Sequence, residues 1–128
     1  MAKAHAIFDG LQANAILDWY YYGQLIPHFL FDRQETPDEV VAAAFAVGYG
    51  VPDIAPSYAS GVLLGTYKFG AGEFILNTFP ILEQVDRNPA ADRMLLNLIN
   101  YAGISRGKPL DGLPNDFEES LRSIGYSQ

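Results

Sequence analysis

The stretch SGVLLGTYKFGAGEFILNTFPILEQVDRNPAADRMLLNLINYA, residues 60–102, decides the fold. Two runs rich in strand formers, 62–69 and 73–79, flank Gly70, Ala71 and Gly72. β-Branched and aromatic side chains suit a pleated surface, and glycine reaches the positive φ that a tight hairpin needs. A β-hairpin is therefore expected. After Pro80 a short apolar turn, ILEQV, leads into a helix. Asn88 is a good N-cap, and Pro89 falls at the first helical position, where its missing N–H is no loss. Asp92 lies near the positive end of the helix dipole. Met94, Leu95, Leu98, Ile99 and Ala102 recur at helical spacing and read as the buried stripe. Gly103 is expected to end the helix.

Upstream, residues 40–49 form an apolar run, VVAAAFAVGY, closed by Gly48, Gly50 and Pro52. Its alanines suit a helix equally well on propensity, but its length, its abrupt end and its strand formers Val40, Val41, Phe45 and Val47 favour a strand buried on both faces. The polar loop DRQETPDE precedes it and the Pro-rich loop GVPDIAPSYAS follows it. Residues 5–17 read as an extended piece, a turn at Asp9 and Gly10, and a second apolar run. Trp19, Tyr20, Tyr21 and Tyr22 stand in a row. Four successive rings cannot all face one core, so this block is the candidate ligand-binding surface. Downstream, 104–114 reads as a Gly- and Pro-containing linker. Asn115 is placed to cap a last short helix, with Phe117, Leu121 and Ile124 as its apolar edge and Gly125 as its stop.

The chain has 128 residues, enough for one core, and is 49% hydrophobic, which favours folding over disorder. Its net charge of −7 argues against nucleic acid and anionic membranes, because both need a basic face. There is no cysteine, which excludes disulfides, thiolate metal sites and cysteine nucleophiles. No apolar run reaches the roughly 18–20 residues of a membrane span, and the N-terminus carries no signal-peptide pattern, so a cytoplasmic location is expected.

Candidate chemistry is sparse. Residues 103–107, GISRG, match G-x-S-x-G, but a helix precedes the serine where a nucleophile elbow requires a strand. His28, beside Pro27 and among aromatics, reads as a packed histidine, and His5 as a solvated one. If the chain catalyses a reaction, the pairs to consider are His28 with Asp32 or Asp53, and Ser105 with His28. Carboxylates cluster at Asp32, Glu35, Asp38 and Glu39, and again at Asp111, Asp116, Glu118 and Glu119. The second group is the candidate Ca2+ site, although it lacks the EF-hand pattern and its acids already suit a helix N-terminus. Gly65, Gly70 and Gly72 do not form a phosphate-binding G-x-G-x-x-G.

Residues 60–103 resemble the closing segment of a flavodoxin-like, glutamine-amidotransferase-like module. This module lies at the C-terminal end of bacterial family 2 glycoside hydrolases, the β-galactosidase-like enzymes. HAIFDGL, DWYYYGQLIPHFLF and PLDGLPNDFEESLRSIGY resemble it too. The resemblance implies an α/β fold, a partial flavodoxin-like sheet with a hairpin, a packed helix and a short C-terminal helix. It implies a single truncated domain over 1–128, with a main body at 1–106 and a tail at 107–128. The catalytic glutamates of those enzymes belong to a separate barrel, and the amidotransferase relatives use a cysteine, so neither role transfers here. The parent family is often exported. What is implied is an accessory or binding module without a complete active site. The alternative is a small stand-alone hydrolase of ester, lactone or glycoside bonds, assisted by Ca2+. Carbohydrate or another small molecule is the expected ligand. The first β-α-β units of such a module are missing, and a strand over 40–49 would lack cover, so a homodimer completing the sheet is expected.

Overall fold

The computed structural model of the chain describes residues 1–12, 16–48, 57–70, 72–104, 114–123 and 125. Candidates Asp53, Ser105 and Asp111, and most of the 104–114 linker, lie outside them. Three strands, β1 (Glu39–Gly48), β2 (Ser57–Phe69) and β3 (Gly72–Asn77), form one antiparallel sheet in chain order. Four helices accompany them: α1 (Trp19–Tyr22), α2 (Ile81–Gln84), α3 (Pro89–Ile104) and α4 (Phe117–Ser123). Two 3-10 turns, Ala6–Phe8 and Gly23–Leu25, complete the set. The fold thus mixes helices with a sheet, and every strand pairing in it is antiparallel. No described helix is long and apolar enough to cross a membrane.

The expected hairpin is β2 and β3, running in register from Leu64 opposite Asn77 to Phe69 opposite Gly72. Gly70 sits at φ +53° in the turn, where a side chain would be strained. The cap on α3 is also as expected: Asn88 Oδ1 accepts the Ala90 N–H at 3.0 Å. Its stop is not. Gly103 remains inside α3, which continues to Ile104. The buried stripe is also rotated from the expected one. Ala90, Ala91, Met94 and Asn97 are buried, whereas Ile99 and Ala102 face outward. A polar residue occupies the seam because Asn97 has carbonyls to bind, as described below.

The run expected to be buried on both faces is so only at its start. In β1, Val41 and Ala42 are buried, but Phe45 and Val47 are exposed. The cause is pairing without cover among the described residues: β1 continues alongside β2 to Gly48, opposite Ser57, past the end of their packed layers. β2 accordingly begins within the segment expected to be loop. The pairing shifts register between Val40 and Ala42 and again between Ala42 and Ala43; the two shifts cancel. Beyond them Phe45 lies opposite Ser60 and Val47 opposite Tyr58. Residues directly opposite share a face, so Phe45, Val47, Ser60 and Tyr58 project on one side of this two-stranded arm. Ala44, Ala46, Ala59 and Gly61 take the other side.

At the base of the sheet one face packs on the helical layer. Leu64, Val41, Met94, Ile7, Tyr22 and Leu25 lie in the core, with Phe8 and Phe79 edge to face at 6.1 Å between ring centroids. The N-terminal residues extend the sheet beside β1: Lys3 N–H donates to Val41 O, and Ala43 N–H donates to Met1 O. The opposite face carries Tyr67 stacked on Phe74, its register partner, at 4.9 Å. Phe69 contacts both Phe74 and Phe117 of α4.

Residues 30–38 cross this outer face as a strap. Phe31 exchanges two backbone hydrogen bonds with Val62, on the β2 edge that β3 does not reach. A Cβ at Gly65 would touch Pro37, and the Tyr67 hydroxyl donates to Glu35 O. Asp38 Oδ2 then accepts the Lys68 N–H at 2.6 Å, just before β1 begins.

Candidate functional site

The titratable groups that the fold brings together are not those expected to react. His5, expected to be solvated, has a side chain only 9% exposed. It lies between β1 and α3, its ring 4.8 Å from that of Tyr101. Its Nε2 faces Glu39 Oε2 at 3.4 Å, and the Lys3 ammonium pairs with the same carboxylate. The Tyr101 hydroxyl hydrogen-bonds to Thr66 and Glu39. One cluster thus joins the N-terminal segment, β1, β2 and α3. A cleft of about 360 Å3 opens beside it, lined by His5, Asp9, Asn97, Asn100, Tyr101 and Ile104.

The electrostatics follow from these contacts. The hydrogen bond from Lys3 leads the effects that hold the Glu39 carboxyl below its ordinary value, and the nearby His5 adds to it against the opposing effect of burial. Burial pushes the Tyr101 hydroxyl up, with Glu73 and Glu39 adding to the effect. His, Glu and Tyr in contact would suit acid–base chemistry, but a general base needs a lone pair directed at a substrate. His5 Nδ1 already accepts the Ile7 N–H at 3.2 Å, capping the first 3-10 turn. That contact places the ring proton on Nε2, toward Glu39. Both nitrogens are engaged within the protein, so the cluster works as a clasp. Asn97 reinforces it: its amide donates to Ile7 O at 3.0 Å and to Asp9 O at 2.8 Å. Arg93 joins the same turn by an ion pair with Asp9 at 3.2 Å.

Of the expected catalytic residues, the two described, His28 and Asp32, share no hydrogen bond or ion pair. His28, expected to be packed, is exposed and has no hydrogen-bond or ion-pair partner among the described residues. Asp32 is exposed and faces the Arg33 guanidinium at 4.0 Å. It lines a cleft of about 230 Å3 beneath the strap, together with Arg33, Glu35, Ser60 and Val62, and His28 is not part of that lining. Asp116, Glu118 and Glu119 are exposed at the start of α4, where Glu118 pairs with Arg122 one turn on at 3.5 Å. Among the described residues no group of three or more His, Asp or Glu is placed to hold a metal ion.

The aromatic block divides. Asp18 caps α1 through the Tyr20 N–H at 2.7 Å. Tyr22 turns inward, fully buried, and its hydroxyl donates to Gln12 O at 2.7 Å. Burial, and then neighbouring Tyr21, push that hydroxyl up to about 12. Tyr22 therefore anchors the block, and Trp19, Tyr20 and Tyr21 are displayed, Tyr20 at 98% exposure. Successive helical residues point about 100° apart, so these three rings fan out and do not form a single flat platform. A second aromatic surface lies on the arm: Phe45 and Tyr58 are 59% and 76% exposed, with ring centroids 6.1 Å apart. The alternation of residues 44–48 would have located it, had the arm's lack of cover been readable. Set against known proteins, the chain has no significant match among family models, curated proteins or solved structures.

Proposed function

We propose that the chain is a non-catalytic accessory or binding module of the kind its sequence resembles, the closing module of family 2 glycoside hydrolases, and that it assembles with a second copy. In this reading β2, β3 and α3 correspond to the closing part of a flavodoxin-like module. The observation that carries the proposal is a contrast. The half-buried cluster of His5, Glu39 and Tyr101 uses both imidazole nitrogens internally, whereas large rings, among them Trp19, Tyr20, Tyr21, Phe29, Phe45 and Tyr58, stand exposed. Exposed rings of this kind serve contact with sugars or other proteins.

The test is a panel of nitrophenyl glycosides, esters and lactones, assayed with Ca2+ and with chelator. No turnover is expected under any condition. Turnover abolished by chelator and restored by Ca2+ would establish the hydrolase instead. A glycan array followed by calorimetry with Trp19→Ala and Tyr20→Ala then asks whether the fanned rings hold carbohydrate.

A further inference from the structure

The arm has open backbone edges as well as exposed rings. On the outer edge of β1, the Ala43 N–H donates to Met1 O, and Ala43 O accepts from the Met1 ammonium at 2.6 Å. Backbone groups of a strand alternate sides with a period of two residues. The next outward-facing pairs therefore belong to Phe45 and Val47, and no described residue meets them. The same alternation on β2 turns the Val62 groups outward to Phe31, so Tyr58 and Ser60 have outward groups as well.

We propose that β1 pairs with β1 of a second copy, antiparallel and centred on Ala46, so that Phe45 of each copy exchanges two backbone hydrogen bonds with Val47 of the other. This rests on the assembly half of the proposed function and names the surface that performs it. Three observations select a second copy as the occupant. An antiparallel pair of identical strands is isologous, so one segment supplies both sides and the assembly closes at two. Residues 40–48 carry no charge, in a chain of net charge −7 whose copies repel elsewhere. Met1 already occupies the outward groups of Ala43, so the pairing is centred beyond them, on Ala46.

The same pairing sets Phe45, Val47 and Tyr58 of both copies side by side on one face. From their exposures of 59%, 47% and 76%, these side chains expose on the order of 350 Å2 per copy, an upper limit on what the pairing removes from water because their outer faces stay on the open sheet surface. A standard interface buries about 800 Å2 per partner, so the dimer is a weak one. β1 is preferred to β2 because its open pairs carry Phe and Val, whereas those of β2 include Ser60.

Sedimentation velocity over a concentration series tests this, with circular dichroism and thermal melts as controls on folding. Val47→Pro removes only an outward N–H, which the β1–β2 ladder does not use, and proline is tolerated at such edge positions. The wild type is expected to dimerise, and Val47→Pro to weaken the dimer at least ten-fold. Ser60→Pro, which makes the same change on the β2 edge, is expected to leave it unchanged. Val47→Lys provides a second disruption should the proline variant fail to fold. A wild type that stays monomeric at several hundred micromolar overturns both the interface and the assembly. A dimer that survives both Val47 substitutions, or that only Ser60→Pro breaks, overturns the interface while leaving assembly standing.

Discussion

Asn97→Ala should cost far more than its place near the surface end of a helix suggests. The amide donates to Ile7 O at 3.0 Å and Asp9 O at 2.8 Å, and the residue is only 7% exposed. Losing the bond to Asp9 O, which keeps the Arg93 Nε–H donor at 3.1 Å, costs about 1 kcal/mol, and leaving Ile7 O without a donor away from water costs about 1–3 kcal/mol. The higher helix propensity of alanine returns about half a kcal/mol. The balance is a loss of about 1.5–3.5 kcal/mol. In urea, with a slope of about 1–3 kcal/mol per molar for a domain of this size, the midpoint should fall by roughly 1–2 M with the slope unchanged. Asn100→Ala, on the exposed flank of the same helix, should stay within about 0.5 kcal/mol of wild type. If Asn97→Ala is as mild as Asn100→Ala, α3 does not hold the 3-10 turn, and the account of the clasp is wrong.

Three further outcomes follow from the same contacts. Glu39 is held below its ordinary value of 4.5 in the folded chain, chiefly by Lys3, so its contribution is complete above 4.5 and is lost as pH falls through the folded value; Glu39→Gln should flatten that acid limb in melting temperature followed downward from neutral pH. The Tyr22 hydroxyl is pushed up to about 12, so its contribution is complete below the ordinary value of 10.0 and is lost as pH rises toward 12; absorbance titration should show phenols that ionise later than the ordinary class, Tyr22 and Tyr101 among them, and Tyr22→Phe should remove one of them. A Cβ at Gly61 would press into Leu30 Cδ1 and lie 2.8 Å from Phe31 O, so Gly61→Ala should destabilise by about 1–3 kcal/mol, whereas Gly103→Ala, with open space around it inside α3, should stabilise by about 0.4–1 kcal/mol; thermal melts of both variants check the opposite signs.

The parts of this fold that local chemistry controls were legible in the sequence. Gly70 marks the hairpin and Asn88 with Pro89 marks the start of α3, because a positive φ and a capping oxygen act within a few residues. Burial was less legible, because it depends on what packs from elsewhere. Residues 40–48 carry a strand signature, but only the absence of a covering layer exposes Phe45 and Val47. His5 looks solvated by position and is enclosed by Glu39 and Tyr101, which are distant in sequence. Asn97 seems out of place in an apolar stripe until the carbonyls of Ile7 and Asp9 come into view. Of the aromatic block, the sequence indicates that some rings must remain outside; that Tyr22 is the one turned inward follows from the carbonyl of Gln12.

The strap bears on the order in which the molecule can assemble. Phe31 holds one edge of β2, Pro37 and Glu35 lie across its outer face, and β1 holds the other edge. Around Val62 the strand is thus enclosed by one run of chain that precedes it, and β3 takes over the Phe31 edge from Leu64 onward. Closing the strap is then the step that completes β2, since the Val62 groups and the Lys68 amide lack these partners while it is lifted. The Val62 and Lys68 amides, which donate to the strap, should exchange with solvent only when that whole unit opens, at one common rate set by the strap's release.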